Sequence, residues 1–193
     1  MASESCRALF HYFRLCGNLK HLPRTGWVKR DIPHPETVSG HMYRMSMMAF
    51  LFGGLSDPSV NKERCIKMAL VHDLAESIVG DITPSCGISK DEKHRREKEA
   101  MDEISQCLPS EVAKELVDLW TDYEQGTSPE AAIVRDLDKF DMIFQASEYE
   151  KAEGKAGHLQ EFFDSTEGKF THPRVKEWVK FLTEERSHFT SSE

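Results

Sequence analysis

Apolar residues in this chain return at intervals of three and four along almost its whole length. No stretch of useful length alternates with period two, so the pattern supports α-helices and argues against a sheet. Ser5 to Leu19 carries Leu9, Phe13 and Cys16 on one stripe. His21 to Thr37 is broken by Pro23, Gly26, Pro33 and Pro35 and reads as an irregular segment, about the length at which loops tend to be functional. From Ser39 the series Met42, Met45, Ala49, Phe52 restores the helical period until Gly53-Gly54 ends it. Asn61 is placed to cap a helix that buries Ile66, Ala69, Leu70, Leu74 and Ile78, with Gly80 as its left-handed terminator.

Ser89-Lys-Asp-Glu92 has capping-box spacing and opens a helix past Met101 and Ile104 to Leu108. Another starts at Ser110, with Val112, Leu116, Leu119 and Tyr123 inward. Ser128-Pro129 places a cap and then a proline at the first helical position of a long helix through Ile133, Leu137, Phe140 and Phe144 to about Glu153. Leu159, Phe162 and Phe163 suggest a short helix, and Pro173 opens a last one through Val175, Trp178, Val179 and Leu182. The expectation is an all-α, single-domain bundle of six to eight helices over residues 1–193, with its core in about 8–185.

At 193 residues and 39% hydrophobic, the chain is long enough for one sizeable core and short for two. No run approaches the roughly 20 apolar residues that span a bilayer, and the start of the chain lacks a secretory layout, so an intracellular, cytoplasmic protein is expected. The five cysteines are scattered without a C-x-x-C pair and read as reduced thiols rather than a disulfide frame or a thiolate zinc site. A formal net charge of −8 argues against a nucleic-acid polymer as partner. A small anion could still bind in a locally cationic pocket.

Polar residues interrupt the apolar stripes at a few positions. On the Asn61-capped helix, Glu76 stands four residues from His72 and three from Asp73, so the three share a face. Buried bare they would cost several kcal/mol, and they call for a cation, a hydrogen-bond network or a solvent-exposed helix edge. His41 opens an apolar helix, and Asp138 and Asp141 share a stripe with Val134 and Gln145. Asp136 points away from that stripe and reads as solvent-facing; Lys93, Arg95 and Arg96, interleaved with Glu92, Glu97 and Glu99, read as a solvated face.

His41, the pair His72-Asp73 and Asp138 match the H…HD…D metal-binding pattern of the HD-domain superfamily. The words Glu36-Thr-Val-Ser-Gly-His41, Leu70-Val-His-Asp-Leu-Ala-Glu76 and Val79-Gly-Asp-Ile-Thr-Pro84 resemble those of its deoxynucleoside 5′-monophosphate phosphatases. Arg24-Thr-Gly-Trp27, Lys93-His-Arg-Arg-Glu97 and Gln145-Ala-Ser-Glu-Tyr-Glu150 extend the similarity over roughly residues 8–185. The resemblance implies an HD-domain fold in which His41, His72, Asp73 and Asp138 hold one divalent cation: Mn, Co, Mg or Fe. It implies hydrolysis of deoxynucleoside 5′-monophosphates, with Glu76 acting on the attacking water and Asp81 as a second catalytic or substrate-contacting acid. A turn aspartate that caps backbone is the competing role for Asp81.

Arg24 is the candidate for phosphate or sugar contact, because a guanidinium offers paired donors to phosphate oxygens. Trp27 either packs against sugar or base or pins its loop to the bundle. The resemblance also implies a homodimer; Phe162, Phe163, Trp178 and Phe181 could form its interface or finish the monomer core. Gly40 departs from the acidic residue usual before the first histidine, a change expected to loosen the loop that carries Arg24. The alternatives are another HD-type hydrolase of cyclic nucleotides or polyphosphates, and a helical regulatory module with a structural metal. His94 is the only histidine between the His72-Asp73 pair and Asp138, which favours a single-metal monoesterase.

Overall fold

The computed structural model describes residues 3–53 and 58–190, without side-chain detail for 189 and 190. Ten α-helical segments are described: α1 Glu4–Asn18, α2 Thr25–Val28, α3 Val38–Ala49, α4 Lys62–Val71, α5 Glu76–Val79, α6 Lys90–Gln106, α7 Ser110–Gln125, α8 Pro129–Glu153, α9 Gln160–Thr166 and α10 Pro173–Thr190. Eight of them have seven or more residues, the upper end of the expected range; α2 and α5 are single turns. Among the described residues no strand forms, and the only β contact is an isolated bridge between Pro23 and Thr37.

The caps lie where side-chain chemistry places them. Asn61 accepts the Arg64 amide at 3.1 Å, Ser89 the Glu92 amide at 3.2 Å and Ser128 the Ala131 amide at 3.0 Å. Thr37 caps α3 by accepting the Gly40 amide at 3.2 Å. Gly53 has positive φ, while its predicted partner Gly54 lies outside the described residues.

Three apolar stripes are corrected. In α1 the buried residue is Leu15, with Leu19 following it, and Phe13 is 58% exposed, because the face that meets α5 and α6 is rotated from the Leu9–Phe13–Cys16 line. The segment around His72 is not one helix either. α4 stops at Val71, and the chain tightens through His72–Ala75 with three-residue hydrogen bonds, Leu74 N–H to Val71 and Glu76 N–H to Asp73. The 3.6-residue phase is lost there and Ile78 beyond it is exposed, while Leu70, still within α4, lies 49% exposed beside the buried Cys65, Met68 and Ala69 face. Gly80 has positive φ with ψ 168°, an extended glycine conformation rather than the expected left-handed helical one. Val112 is also exposed, while Leu116, Leu119 and Tyr123 are buried as expected.

α3, α4 and α8 pack on one another, with α7 against α4 and α8 and α10 along α8. One core cluster runs from Met45 and Met68 through Leu137 to Val175 and Leu182. A second joins α1, α3, α6 and α7 through Leu15, Met42, Met101 and Trp120. Trp178, Phe162 and Phe163 pack against core clusters, and Phe181 alone of the four candidate interface aromatics is exposed. Asp136 is not solvent-facing: it is 1% exposed, and its Oδ2 accepts the Thr171 and His172 amides at 2.7 Å each, just ahead of α10. A carboxylate on the far side of α8 is thus consumed in fixing the approach to the last helix.

Candidate functional site

The meeting of α3, α4 and α8 brings together side chains separated by up to a hundred residues. His41, on the first turn of α3, is wholly buried; His72, at the C-terminal end of α4, is nearly so. Their rings lie 5.4 Å apart and nearly perpendicular. The tightened turn after α4 directs Asp73 to the same place, 3.2 Å from His72 Nε2 and 3.8 Å from His41 Nε2. Candidate ligand atoms of His41, His72 and Asp73 all lie within 4.8 Å of one another. Asp138 of α8 joins through His41, with Oδ1 3.2 Å from Nε2.

The hydrogen bonds determine what these rings can do. His72 Nδ1–H donates to the Ala69 carbonyl at 2.9 Å; a carbonyl only accepts, so the neutral ring presents its Nε2 lone pair inward. His41 Nδ1 is likewise engaged by Asp141 Oδ2 at 2.7 Å. Both Nε2 atoms are buried without a hydrogen-bond partner. Two Nε2 atoms aimed inward beside two carboxylates, each ring oriented from behind by an acceptor, fit a divalent cation, which would take the place of a proton on His41 Nε2. Burial and Arg24 work to lower the His41 pKa, but Asp138 and Asp141 outweigh them and raise it to about 9. Burial would raise Asp73, yet His72 and His41 hold it down at about 2. The cluster therefore keeps its carboxylates ionised and draws positive charge.

Glu76, at the start of α5, is buried with an unpartnered Oε2, and burial together with Asp73 and Asp81 pushes its carboxyl well above the usual range. Arg24 and Lys93 oppose that rise. Lys93 thus departs from the solvated face expected of it: it pairs with buried Glu97 at 3.4 Å, and Glu97, Glu76 and Asp73 raise its pKa against burial. Arg95 and Arg96 are exposed and paired with Glu92, as expected. Asp81 accepts the Thr25 amide at 2.6 Å, and its own carbonyl accepts the Thr25 hydroxyl at 2.8 Å. Here it ties the loop that carries Arg24, the backbone-binding role that competed with catalysis.

Arg24 is drawn to both sides of its loop, 3.6 Å from Asp73 and 3.9 Å from Glu36. Trp27 is 1% exposed; its indole N–H donates to Glu36 at 3.0 Å, and its ring meets Phe162 and Tyr149 at 4.5 and 5.3 Å. It pins the loop, and it also helps wall a cavity of about 270 Å³ that reaches from Arg24 and Asp81 to α9. Asp81, Glu36 and the Pro23–Thr37 bridge hold that loop, and the Gly40 amide donates to the Thr37 side chain at 3.2 Å.

Three contributors escaped sequence reasoning. Glu36 bridges Trp27, Arg24 and Arg44; Arg44 in turn forks onto Asp141 and reaches Gln145 at 2.7 Å. The signal for Arg44 was present, one helical turn after His41 among methionines. Tyr123 gave none: it sits in an apolar stripe, yet its hydroxyl donates to Asp138 at 2.8 Å and burial keeps it protonated. His94 lies on the surface, stacked on Trp120 at 5.7 Å and 3.2 Å from Glu124, and none of the candidate ligands is its partner.

Residues 16–178 match the model of the HD domain family. The chain is 58% identical over 179 residues to the zebrafish (Danio rerio) protein named 5′-deoxynucleotidase HDDC2, covering 93% of this chain and 88% of that one. It is 53% identical over 186 residues to the human protein of the same name, covering 96% and 90%. A crystal structure of a Pyrococcus horikoshii protein superposes with a TM-score of 0.73 at 28% identity, covering 93% of this chain and 99% of that one.

Proposed function

The chain belongs to the HD domain family, and from that membership and its site we infer that it is a 5′-deoxynucleotidase, releasing phosphate from deoxynucleoside 5′-monophosphates. The observation that carries the site assignment is the pair of buried, partnerless Nε2 atoms on His41 and His72, converging beside Asp73 and Asp138. These four side chains would hold one divalent cation of the Mn, Co, Mg or Fe class. When bound, such an ion acidifies water and offsets negative charge on the phosphoryl oxygens.

Hydrolysis moves one proton from water to the departing 5′ oxygen. Glu76 is the group suited to hold it in transit, because a carboxyl raised toward neutrality can both accept and return a proton. Arg24 turns its guanidinium from Asp73 and Glu36 to the phosphate, supplying the cationic help that a dianion needs beside these acids. Asp81 holds that arginine's loop in place and lines the cavity beside it, where it can also touch substrate. Trp27 forms part of the same wall, an apolar surface against which a sugar lacking its 2′-hydroxyl fits. A homodimer belongs to this proposal, and Phe181 with the exposed α3 residues Tyr43 and Met47 are available to such a contact.

The test is phosphate release across ribo- and deoxynucleotides by protein loaded with each metal in turn. Glu76→Gln is expected to retain metal and to lose about 10²–10⁴-fold in kcat. No release from any deoxynucleotide, or a Glu76→Gln protein as fast as wild type, overturns the assignment.

A further inference from the structure

We propose that the cavity between α2 and α9 seats the nucleobase, and that Arg30 and Glu161 on its rim read the polar edge of that base. The proposal rests on the deoxynucleotidase reading and adds which part of the substrate lies where. The cavity begins at Arg24, itself the ion-pair partner of Asp73, so a phosphate held between Arg24 and the histidine cluster leaves the rest of the molecule pointing along it.

Its inner wall is largely apolar, with the Trp27 and Phe162 rings tilted by 41° to each other. Phe162 lies 4.5 Å from the Trp27 ring, and a Cβ built on Gly26 would stand 3.5 Å from Phe162. A methyl at position 26 would sit in ordinary contact with Phe162, while a longer side chain would extend over that wall. Aromatic walls with a few polar groups at the margin are what a flat heterocycle requires.

The margin supplies those groups. Arg30 and Glu161 face each other as a two-bonded guanidinium–carboxylate fork, with the Arg30 guanidinium also 5.7 Å from the Phe162 ring centre. Both are substantially exposed, 33% and 52%, so their mutual attraction is weak in water and either can exchange its partner for a ligand. Together they offer a row of donors beside a row of acceptors, complementary to the amino and carbonyl groups on base edges.

The experiment compares kcat/KM of the metal-loaded enzyme on deoxynucleoside monophosphates and on deoxyribose 5-phosphate, which lacks a base. Wild type should prefer the nucleotides, and Ser165→Trp, which fills the cavity from exposed α9, should cut that preference roughly tenfold or more. Arg30→Met and Glu161→Ala, at a half-buried and an exposed position, should alter the ranking among the four bases by about threefold or more. A wild type indifferent to the base, or a Ser165→Trp protein that loses both substrates equally, overturns the base site. An unchanged ranking in both rim variants removes Arg30 and Glu161 as readers. Wild-type protein that cleaves neither substrate class fails the deoxynucleotidase reading itself.

Discussion

Around His41 and His72 the supporting polar atoms are engaged several times over, whereas at the α9 end of the neighbouring cavity the charged pair Arg30–Glu161 is partly exposed and lightly held. Asp141 serves both His41 and Arg44, Arg44 serves Glu36 and Gln145, and Glu36 serves Trp27 and Arg24. On the cavity rim, Arg30 and Glu161 have chiefly each other. The contrast follows from burial. Charges taken out of water need fixed partners, and fixed partners hold an ion's ligands to the geometry it demands. Exposed pairs contribute little to stability and can rearrange around variable ligands.

The contrast can be broken at several points. The largest effect is expected for His72→Ala, which removes an inward lone pair. Metal content measured by elemental analysis should fall to background, and turnover by roughly 10³-fold, equivalent to about 4 kcal/mol. Retained metal with normal turnover would show that the four ligands are wrongly chosen. Trp27→Ala empties the contact between the two regions and should cost about 3–5 kcal/mol in denaturant unfolding. A loss under 1 kcal/mol would mean that Trp27 is not the pin its burial indicates.

Asp141→Asn keeps the shape behind His41 but replaces the anionic acceptor, so metal affinity by calorimetry should weaken about 10–100-fold. Unchanged affinity would separate the supporting network from the ion site. The smallest effect belongs to the rim: Glu161→Ala should change stability by less than about 1 kcal/mol, since it breaks an exposed pair. A larger loss by thermal unfolding would erase the proposed difference between the two regions.

Much of the fold was legible because local chemistry writes helix ends directly. Asn61, Ser89 and Ser128 cap as their hydroxyl and amide oxygens require, and the caps precede apolar runs of helical period. Stripe phase was less legible. Leu9, Phe13 and Cys16 share a face of α1, but the buried face is set by α5 and α6, which the helix's own residues do not specify. The turn at His72–Ala75 was invisible for a related reason: its residues have no helix breaker, and the tightening accompanies a ring and a carboxylate that meet inside the bundle.

The sequence by itself determined an all-helical chain and, through a spaced set of histidines and acids resembling a known pattern, its candidate ligands. Only the tertiary structure decided how those ligands are oriented, that Asp136 and Trp27 are buried structural anchors, and that Tyr123, Arg44 and Glu36 support the site. Periodicity and capping act within a few residues and can be read along a chain. Satisfying a buried polar atom depends on partners a hundred residues away, and folding selects them.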